Sequence, residues 1–487
     1  MLTKHLLPFV LLLPLTSSAE TILGLYIFSR HGDRTSKSAP STVLTDLGYS
    51  QVFTSGSYFR DTYVANGSAS QIHNIADSVV KQSQIAASAP LDNVLFPSAM
   101  GFLQGLYPPV GSTLGGQKLR NGTTVETPLN GFQLIPVGTV TSGTGSEDQA
   151  WLQGSSNCAK AVVSSNQYFM SDEYKQLENS TIEFYQSLTP LLNSTFSPDQ
   201  LSFKNAYQIY DYLNVASIHN ATIPSSTLLT PSTLNQLRTL SDTHEYSLAY
   251  NTTSPIRAIT GSTLAAQILD ALNATITSNS GGPPAPKLNI QFGAYGGFQS
   301  FFGLANLTQA DVDFYGVPDY ASTMTFELFT TAAPDPFPAV QDLQVRFLFH
   351  NGTTSNASTP VAYPLFGGQS TEMSWSDFAK GMGKFAVGSQ RDWCEACGNS
   401  TGVCAAAAAA NGTGSESSSS GDGGGGNGIS KAVAGVIGAM VTLAVILGAE
   451  AVIMLIAGLR LVRKKRVSGG GVGERGGEGK EGANGDS

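Results

Sequence analysis

Dense apolar runs separated by long unpatterned stretches mark where a sheet is expected. Ile22-Leu23-Gly24-Leu25-Tyr26-Ile27-Phe28 is continuously apolar and bounded by polar residues. It is too short for a buried helix, which predicts a strand covered on both faces. Leu288–Phe292, Thr323–Phe329 and Gln344–Phe349 read as further strands, the last with Val345, Phe347 and Phe349 on one face. Leu44-Thr45-Asp46-Leu47-Gly48 opens a helix with Thr45 as its N-cap. Thr21 to about Gly111 therefore predicts a strand, a turn and two helices, the start of an α/β domain. From about Ser112 to Pro284 the pattern is irregular, with helical patches at Asp172–Leu191 and Pro231–Leu240.

The two ends carry different signals. Residues 1–19 read as a secretory signal: Lys4 supplies the positive charge, Leu6 to Leu15 the apolar core, and Ser17-Ser18-Ala19 the small residues of a cleavage site. Residues 20–404 form the expected ectodomain, and residues 405–430, rich in Ala, Ser and Gly, a flexible stalk. Residues 431–459 are almost continuously apolar, long enough to span a bilayer, and Arg460, Arg463, Lys464, Lys465 and Arg466 follow at once. That charge places the Gly/Glu-rich tail, 460–487, in the cytosol and the N-terminal domain outside. A GPI signal fits the end less well, because its apolar segment normally finishes the chain. The expected location is a plasma or secretory-pathway membrane, crossed once, with the N-terminal domain extracellular or lumenal.

Composition supports that setting. Charged residues make up 13% of the 487 and the net charge is −9, so the basic stripe of a nucleic-acid-binding protein is not expected. Twelve N-x-S/T sequons all lie between leader and apolar span: Asn66, Asn121, Asn179, Asn193, Asn220, Asn251, Asn273, Asn306, Asn351, Asn356, Asn399 and Asn411. N-linked glycans are expected there. Cys158, Cys394, Cys397 and Cys404 form an even set in an extracellular chain, which favours two disulfides over a metal or redox pair and leaves three connectivities open. No metal or other cofactor is implied.

The candidate chemistry lies at the end of the first strand, in Arg30-His31-Gly32-Asp33-Arg34. Arginine forks grip a phosphoryl group bidentately. An imidazole between them is a competent nucleophile toward phosphorus. Gly32 lets the backbone approach a bound anion. A solvated basic turn is the plain alternative. The other histidines, His73, His219, His244 and His350, read as structural or solvated, with His219 and His350 expected at the surface beside sequons.

The segment resembles the entry motif of the histidine acid phosphatases, the branch of the phosphoglycerate-mutase-like superfamily that includes fungal phytases. The likeness continues through Leu44–Gly48, through Ser98-Ala99 followed by Phe102-Leu103-Gln104-Gly105-Leu106-Tyr107-Pro108-Pro109, and through Val317-Pro318-Asp319-Tyr320-Ala321-Ser322 leading into Phe326-Glu327-Leu328. It covers roughly Thr21 to Val387. It implies a three-layer α/β sheet domain with a helical cap inserted at about 112–284, a phosphohistidine at His31, and phosphate held by Arg30 and Arg34. The ligand class it implies is a phosphate monoester or another anion.

Three positions depart from the family pattern. A third phosphate-binding arginine is expected four residues before Ser98, where Val94 stands. A His-Asp pair is expected directly after the Leu288–Phe292 strand, where Ala294 and Tyr295 stand. A general acid contributes about 10²–10⁴ in rate and one charge-stabilising donor about 10²–10³. Tyr295 is a poor replacement acid, since a phenol's ordinary pKa is about 10. Asp33, Asp92 and Glu327 are the carboxyls available to replace it. Two readings follow: a weakly active cell-surface acid phosphatase, or a catalytically degenerate relative that binds anions or other ligands. A plain structural glycoprotein is the third.

Overall fold

The computed structural model describes residues 20–39, 41–140, 157–220 and 228–405. The chain divides into two compact units, Met1–Gly414 and Ser415–Ser487, and every described residue belongs to the first. The expected leader, the apolar span, the tail and all of the stalk after Ala405 lie outside the described residues. Among the described residues, no helix is long and apolar enough to cross a membrane.

The four expected strands form, at 22–28, 288–292, 323–329 and 344–349, together with others that the apolar pattern did not predict. They are β1 (Thr21–Ser29), β2 (Ile85–Pro90), a small separate hairpin of β3 (Gln117–Lys118) and β4 (Thr124–Val125), β5 (Val137–Val140), β6 (Leu288–Phe292), β7 (Thr323–Thr330), β8 (Leu343–His350), β9 (Val361–Ala362) and β10 (Glu372–Ser374). Apart from the hairpin they form one mixed sheet, ordered β10-β8-β7-β1-β6-β2-β5, with β9 also paired to β8. β1, β6, β2 and β5 run parallel, whereas β7 is antiparallel to β1 and β8 to β7. The carboxyl ends of β1, β6 and β2 therefore share one edge, where open α/β sheets bind ligands.

Helices cover both faces, which is why β1 is apolar throughout. α1 (Asp46–Tyr63) and α2 (Leu95–Leu106) pack on Leu25, Ile27 and Ile290 through Val52, Phe59 and Phe102. Thr45 caps α1 as expected, accepting from Gly48 N at 3.0 Å. Two short helices, α3 (Gly111–Gly115) and α4 (Pro128–Gly131), lead back to β5. A bulge in β1 between Ile22 and Gly24 shifts the alternation, so Leu23 joins Tyr26 and Phe28 on the other face.

The segment expected to form the cap, about 112–284, divides. β5 joins the sheet. α5 (Ala159–Asn166), α6 (Asp172–Ser187), α7 (Thr189–Leu192), α8 (Ala206–His219) and α9 (Pro231–Ala249) follow, and Tyr185, Leu192, Leu213 and Leu237 form a core of their own. α10 (Ile259–Asn279) returns to the sheet with α11 (Tyr295–Leu304) and α12 (Trp375–Met382), burying Leu264, Phe298, Phe301 and Phe378 against Phe28 and Phe326. α13 (Gln390–Cys397) closes the domain. Disulfides Cys158–Cys397 and Cys394–Cys404 select one of the three connectivities and surround buried Trp393.

Candidate active site

The turn after β1 is held by backbone on two sides. Arg30 N donates to Ser322 O at 2.9 Å, and Ala321 N donates to His31 O at 2.8 Å. On the other side α1 and α2 press against the turn. Gly32 N donates to Ser98 Oγ at 3.3 Å, and a Cβ on Gly32 would lie 2.1 Å from Gly48 O. The glycine is there because two backbones meet. The turn is deeply set: His31, Asp33 and Arg34 are fully buried and Arg30 nearly so.

The His31 ring is oriented from its own turn. Nδ1 lies 2.8 Å from Gly32 O. A carbonyl only accepts, so Nδ1 carries the proton and the neutral ring keeps its lone pair on Nε2. That is the tautomer a nucleophilic histidine needs.

The arginines have internal partners. Arg34 Nη2 lies 2.9 Å from Asp211 Oδ1 and 3.1 Å from Tyr207 Oη, and Nη1 donates to Thr35 O at 3.0 Å. Arg30 Nη1 donates to Pro318 O, and its guanidinium carbon lies 5.3 Å from the Tyr295 ring centre and 4.9 Å from that of Tyr320. Tyr320 touches all three motif side chains: its ring centre is also 5.8 Å from Arg34 Cζ and 5.6 Å from the His31 ring centre. Burial pushes the Tyr207 and Tyr320 phenols upward, against the opposing pull of Arg34 and Arg30, so both stay neutral.

The second expected motif sits beside the first. Gly293 N donates to Ser29 O at 3.0 Å, tying the segment after β6 to the end of β1. Ala294 is buried and precedes α11, whose first residue is Tyr295. The Tyr295 ring packs against Tyr207 at 4.8 Å and against the Lys37 ammonium at 5.4 Å. Its hydroxyl donates to Glu245 Oε2 at 2.7 Å, and Glu245 Oε1 lies 2.8 Å from His244 Nδ1. Val94 is buried just before α2, and its carbonyl accepts from Ser98 Oγ at 2.7 Å, so it also borders the turn.

Each of the three carboxyls considered as replacement acids has partners of its own, although Asp33 Oδ2 makes no hydrogen bond among the described residues. Asp33 Oδ1 accepts from Thr45 Oγ1 at 2.5 Å and lies 2.6 Å from His219 Nε2. Asp92 Oδ1 accepts from Val94 N and Leu95 N, at 2.8 and 2.6 Å, at the start of α2. Glu327 lies opposite Leu25, four residues back from the end of β1, with Tyr63 Oη at 2.6 Å and Arg346 Nη1 at 2.9 Å. At roughly 3.3 Å per strand residue that is too far to reach a ligand on His31.

Of the two histidines expected at the surface, His219 is exposed and only His350 departs from that position. His219 latches α8 to Asp33, and His350 is buried, with Nε2 3.2 Å from Thr353 O. His244 is buried and reaches the site indirectly, through Glu245. Tyr207, Asp211, Tyr320 and Glu245 were not among the expected site residues. Tyr207, Asp211 and His219 do recur at helical spacing, which signals one helix face but not what it meets. Among the described residues, no three or more His, Cys, Asp or Glu side chains gather in a metal-ligating cluster.

Solved structures with the same fold include the Hafnia alvei phytase in its apo form (TM-score 0.51, 12% identity, covering 78% of this chain and 98% of that one). The phytase from Citrobacter braakii matches similarly (TM-score 0.50, 12% identity, 77% and 99%). So does the Hafnia alvei phytase in complex with myo-inositol hexakis sulphate (TM-score 0.51, 12% identity, 78% and 99%). At this identity the likeness establishes the fold alone. No curated protein sequence matches the chain. The family model of the histidine phosphatase superfamily (branch 2) matches residues 38–350, beginning just past the Arg30–Arg34 turn. With that match over most of its length, the chain belongs to branch 2 of the histidine phosphatase superfamily.

Proposed function

We propose that this chain is a surface-displayed histidine phosphatase relative whose hydrolysis of phosphomonoesters is weak or lost, and whose His31 turn is retained as a residual anion site. One observation carries the reading. The aromatic rings of Tyr295 and Tyr320 lie on the Arg30 guanidinium, and Tyr320 extends over His31 and Arg34. A phosphoryl group needs the same guanidinium faces and edges.

Hydrolysis through His31 would form a bond from Nε2 to phosphorus and release an alkoxide, which must be protonated as it leaves. The Tyr295 hydroxyl donates to Glu245, and a phenol is a weak acid beside a carboxylic acid. Together with the loss of an arginine at Val94, this supports a deficit of several orders of magnitude, though such effects do not add simply. The orientation of His31 Nδ1 toward Gly32 O favours the second reading, a slow acid phosphatase acting on reactive esters.

The surface assignment is supported by the leader at 1–19, the apolar span at 431–459 and the sequons. None of the eleven sequon asparagines among the described residues is buried. Surface biotinylation and a mobility shift after endoglycosidase treatment test it. Protein that is neither labelled nor shifted would refute the assignment.

The functional test is p-nitrophenyl phosphate turnover by the full-length protein at mildly acidic pH, compared with His31→Ala. The reading expects both near background, with inorganic phosphate or vanadate still raising the melting temperature, since a ligand bound only by the folded state stabilises it. Efficient turnover that disappears in His31→Ala would replace it with the enzyme reading. Absence of any phosphate or vanadate effect would leave only the structural glycoprotein.

A further inference from the structure

A large open space of the domain lies apart from His31. A cleft of about 1290 Å³ runs between α9, the end of α11 and the segments before β7 and after β8. Arg30, His31, Arg34 and Tyr295 do not line it.

Its chemistry differs from that of a phosphate site. Arg238 and Arg257 are its basic residues, against the acids Glu173, Asp242 and Asp313. Both arginines are committed internally. Arg238 lies 2.9 Å from Asp319 and 3.8 Å from Asp242, and Arg257 donates to Ser247 O at 2.6 Å and to Ser164 Oγ at 3.2 Å. A polyanion would find no net positive field here. What the cleft does present is a row of tyrosines. Tyr315, 45% exposed, meets the Tyr246 ring edge-to-face at 4.7 Å, and Tyr246 meets Tyr250 at 5.9 Å. Amides and hydroxyls fill most of the remaining wall.

We infer that this cleft is a carbohydrate-binding site. A tyrosine offers an apolar face beside a polar tip. A pyranose offers an apolar C–H face edged with hydroxyls, so it can stack on Tyr315 while amides and carboxylates take its hydroxyls. A neutral polyol of several rings suits both the volume and the charge balance.

The carbohydrate has two sources. Asn251, Asn306 and Asn351, all sequon asparagines, line the same cleft. In Asn251 and Asn351 the hydrogen bonds run through Oδ1, which accepts from Thr253 N at 2.8 Å and from Asp319 N at 2.7 Å. That is the end of the amide away from the nitrogen that carries an N-linked glycan. The chain's own glycans are one source and a free oligosaccharide is the other.

The experiment uses the full chain from a secretory host. Site-resolved mass spectrometry follows native endoglycosidase release at Asn251, Asn306 and Asn351, against exposed Asn179 and Asn193 on α6 and just after α7. Binding of cellohexaose, chitohexaose, maltohexaose and mannohexaose to the deglycosylated protein is then measured by calorimetry. Slow release at the cleft sites, accelerated by Tyr315→Ala, assigns the cleft to the chain's own glycans. A hexasaccharide dissociation constant below about 1 mM, weakened about tenfold by Tyr315→Ala, assigns it to a free oligosaccharide. An unchanged melting temperature of Tyr315→Ala confirms that the variant folds. Equal release at all five sites with no hexasaccharide bound overturns the inference. So does inositol hexakisphosphate binding that Tyr315→Ala abolishes and His31→Ala leaves intact. Neither overturning result would bear on the residual anion site at His31.

Discussion

The Tyr320 ring centre lies 4.9 Å from the Arg30 guanidinium carbon, and the same ring covers Arg34 and His31. A cation on an aromatic face gains about 0.5–2 kcal/mol, which an incoming phosphate must replace. Tyr320→Ala is therefore expected to tighten vanadate binding about tenfold while lowering thermal stability, measured by calorimetric titration and scanning calorimetry. Unchanged or weaker binding would mean that the ring does not obstruct the anion.

Arg34 and Asp211 form a buried pair, and Asp211 Oδ2 also accepts from Ser36 Oγ at 3.0 Å and Lys37 N at 2.8 Å. Removing one partner of such a pair leaves an uncompensated charge, at a cost of about 3–5 kcal/mol. Asp211→Asn should lose stability on that order in urea unfolding. It should regain more stability from added phosphate than the unaltered protein does, because the anion then supplies the missing charge.

Gly48 meets the turn where a Cβ would lie 2.0 Å from Asp33 O. The contact is backbone to backbone and cannot relax by a rotamer change. Gly48→Ala is expected to cost about 1–3 kcal/mol by overpacking, despite alanine's better helix propensity, read as a lower urea midpoint. A more stable variant would show that α1 is free to move away from the turn.

These contacts mark how far the sequence could be read. β1 was legible as a continuous apolar run, β6, β7 and β8 as apolar residues recurring at every second position, and Thr45 because a cap is local. The placement of Tyr295 beside Arg30 was legible through strand direction: two parallel neighbours end at one edge. Tyr320 and Asp211 were not, since the segment before β7 and the face of α8 meet the turn only in three dimensions. The sequon beside His219 correctly marked an exposed helix end, but the contact of its imidazole with buried Asp33 was not legible.

Asp242 gives a pH signature apart from the His31 site. Burial pushes its carboxyl up to about 6, partly offset by Val317 N and Arg238. The folded state then holds a proton that the unfolded state releases near its ordinary pKa of about 3.9. Stability contributed at low pH is therefore lost as pH rises through roughly 4 to 6. Asp242→Asn should flatten that slope and raise stability at pH 7 by about 1–3 kcal/mol, in urea titrations across the window. An unchanged slope would assign the window to other groups.

The central claim is that Ala294 and Tyr295 deprive a correctly placed His31 of its partners. Its most direct test restores the family pair as Ala294→His with Tyr295→Asp and measures p-nitrophenyl phosphate turnover at mildly acidic pH, with and without His31→Ala. The account predicts a gain of about 10²–10⁴ over the unaltered protein, abolished when His31 is removed. Unaltered protein that already turns over as fast as the restored variant, with both rates lost in His31→Ala, would contradict it.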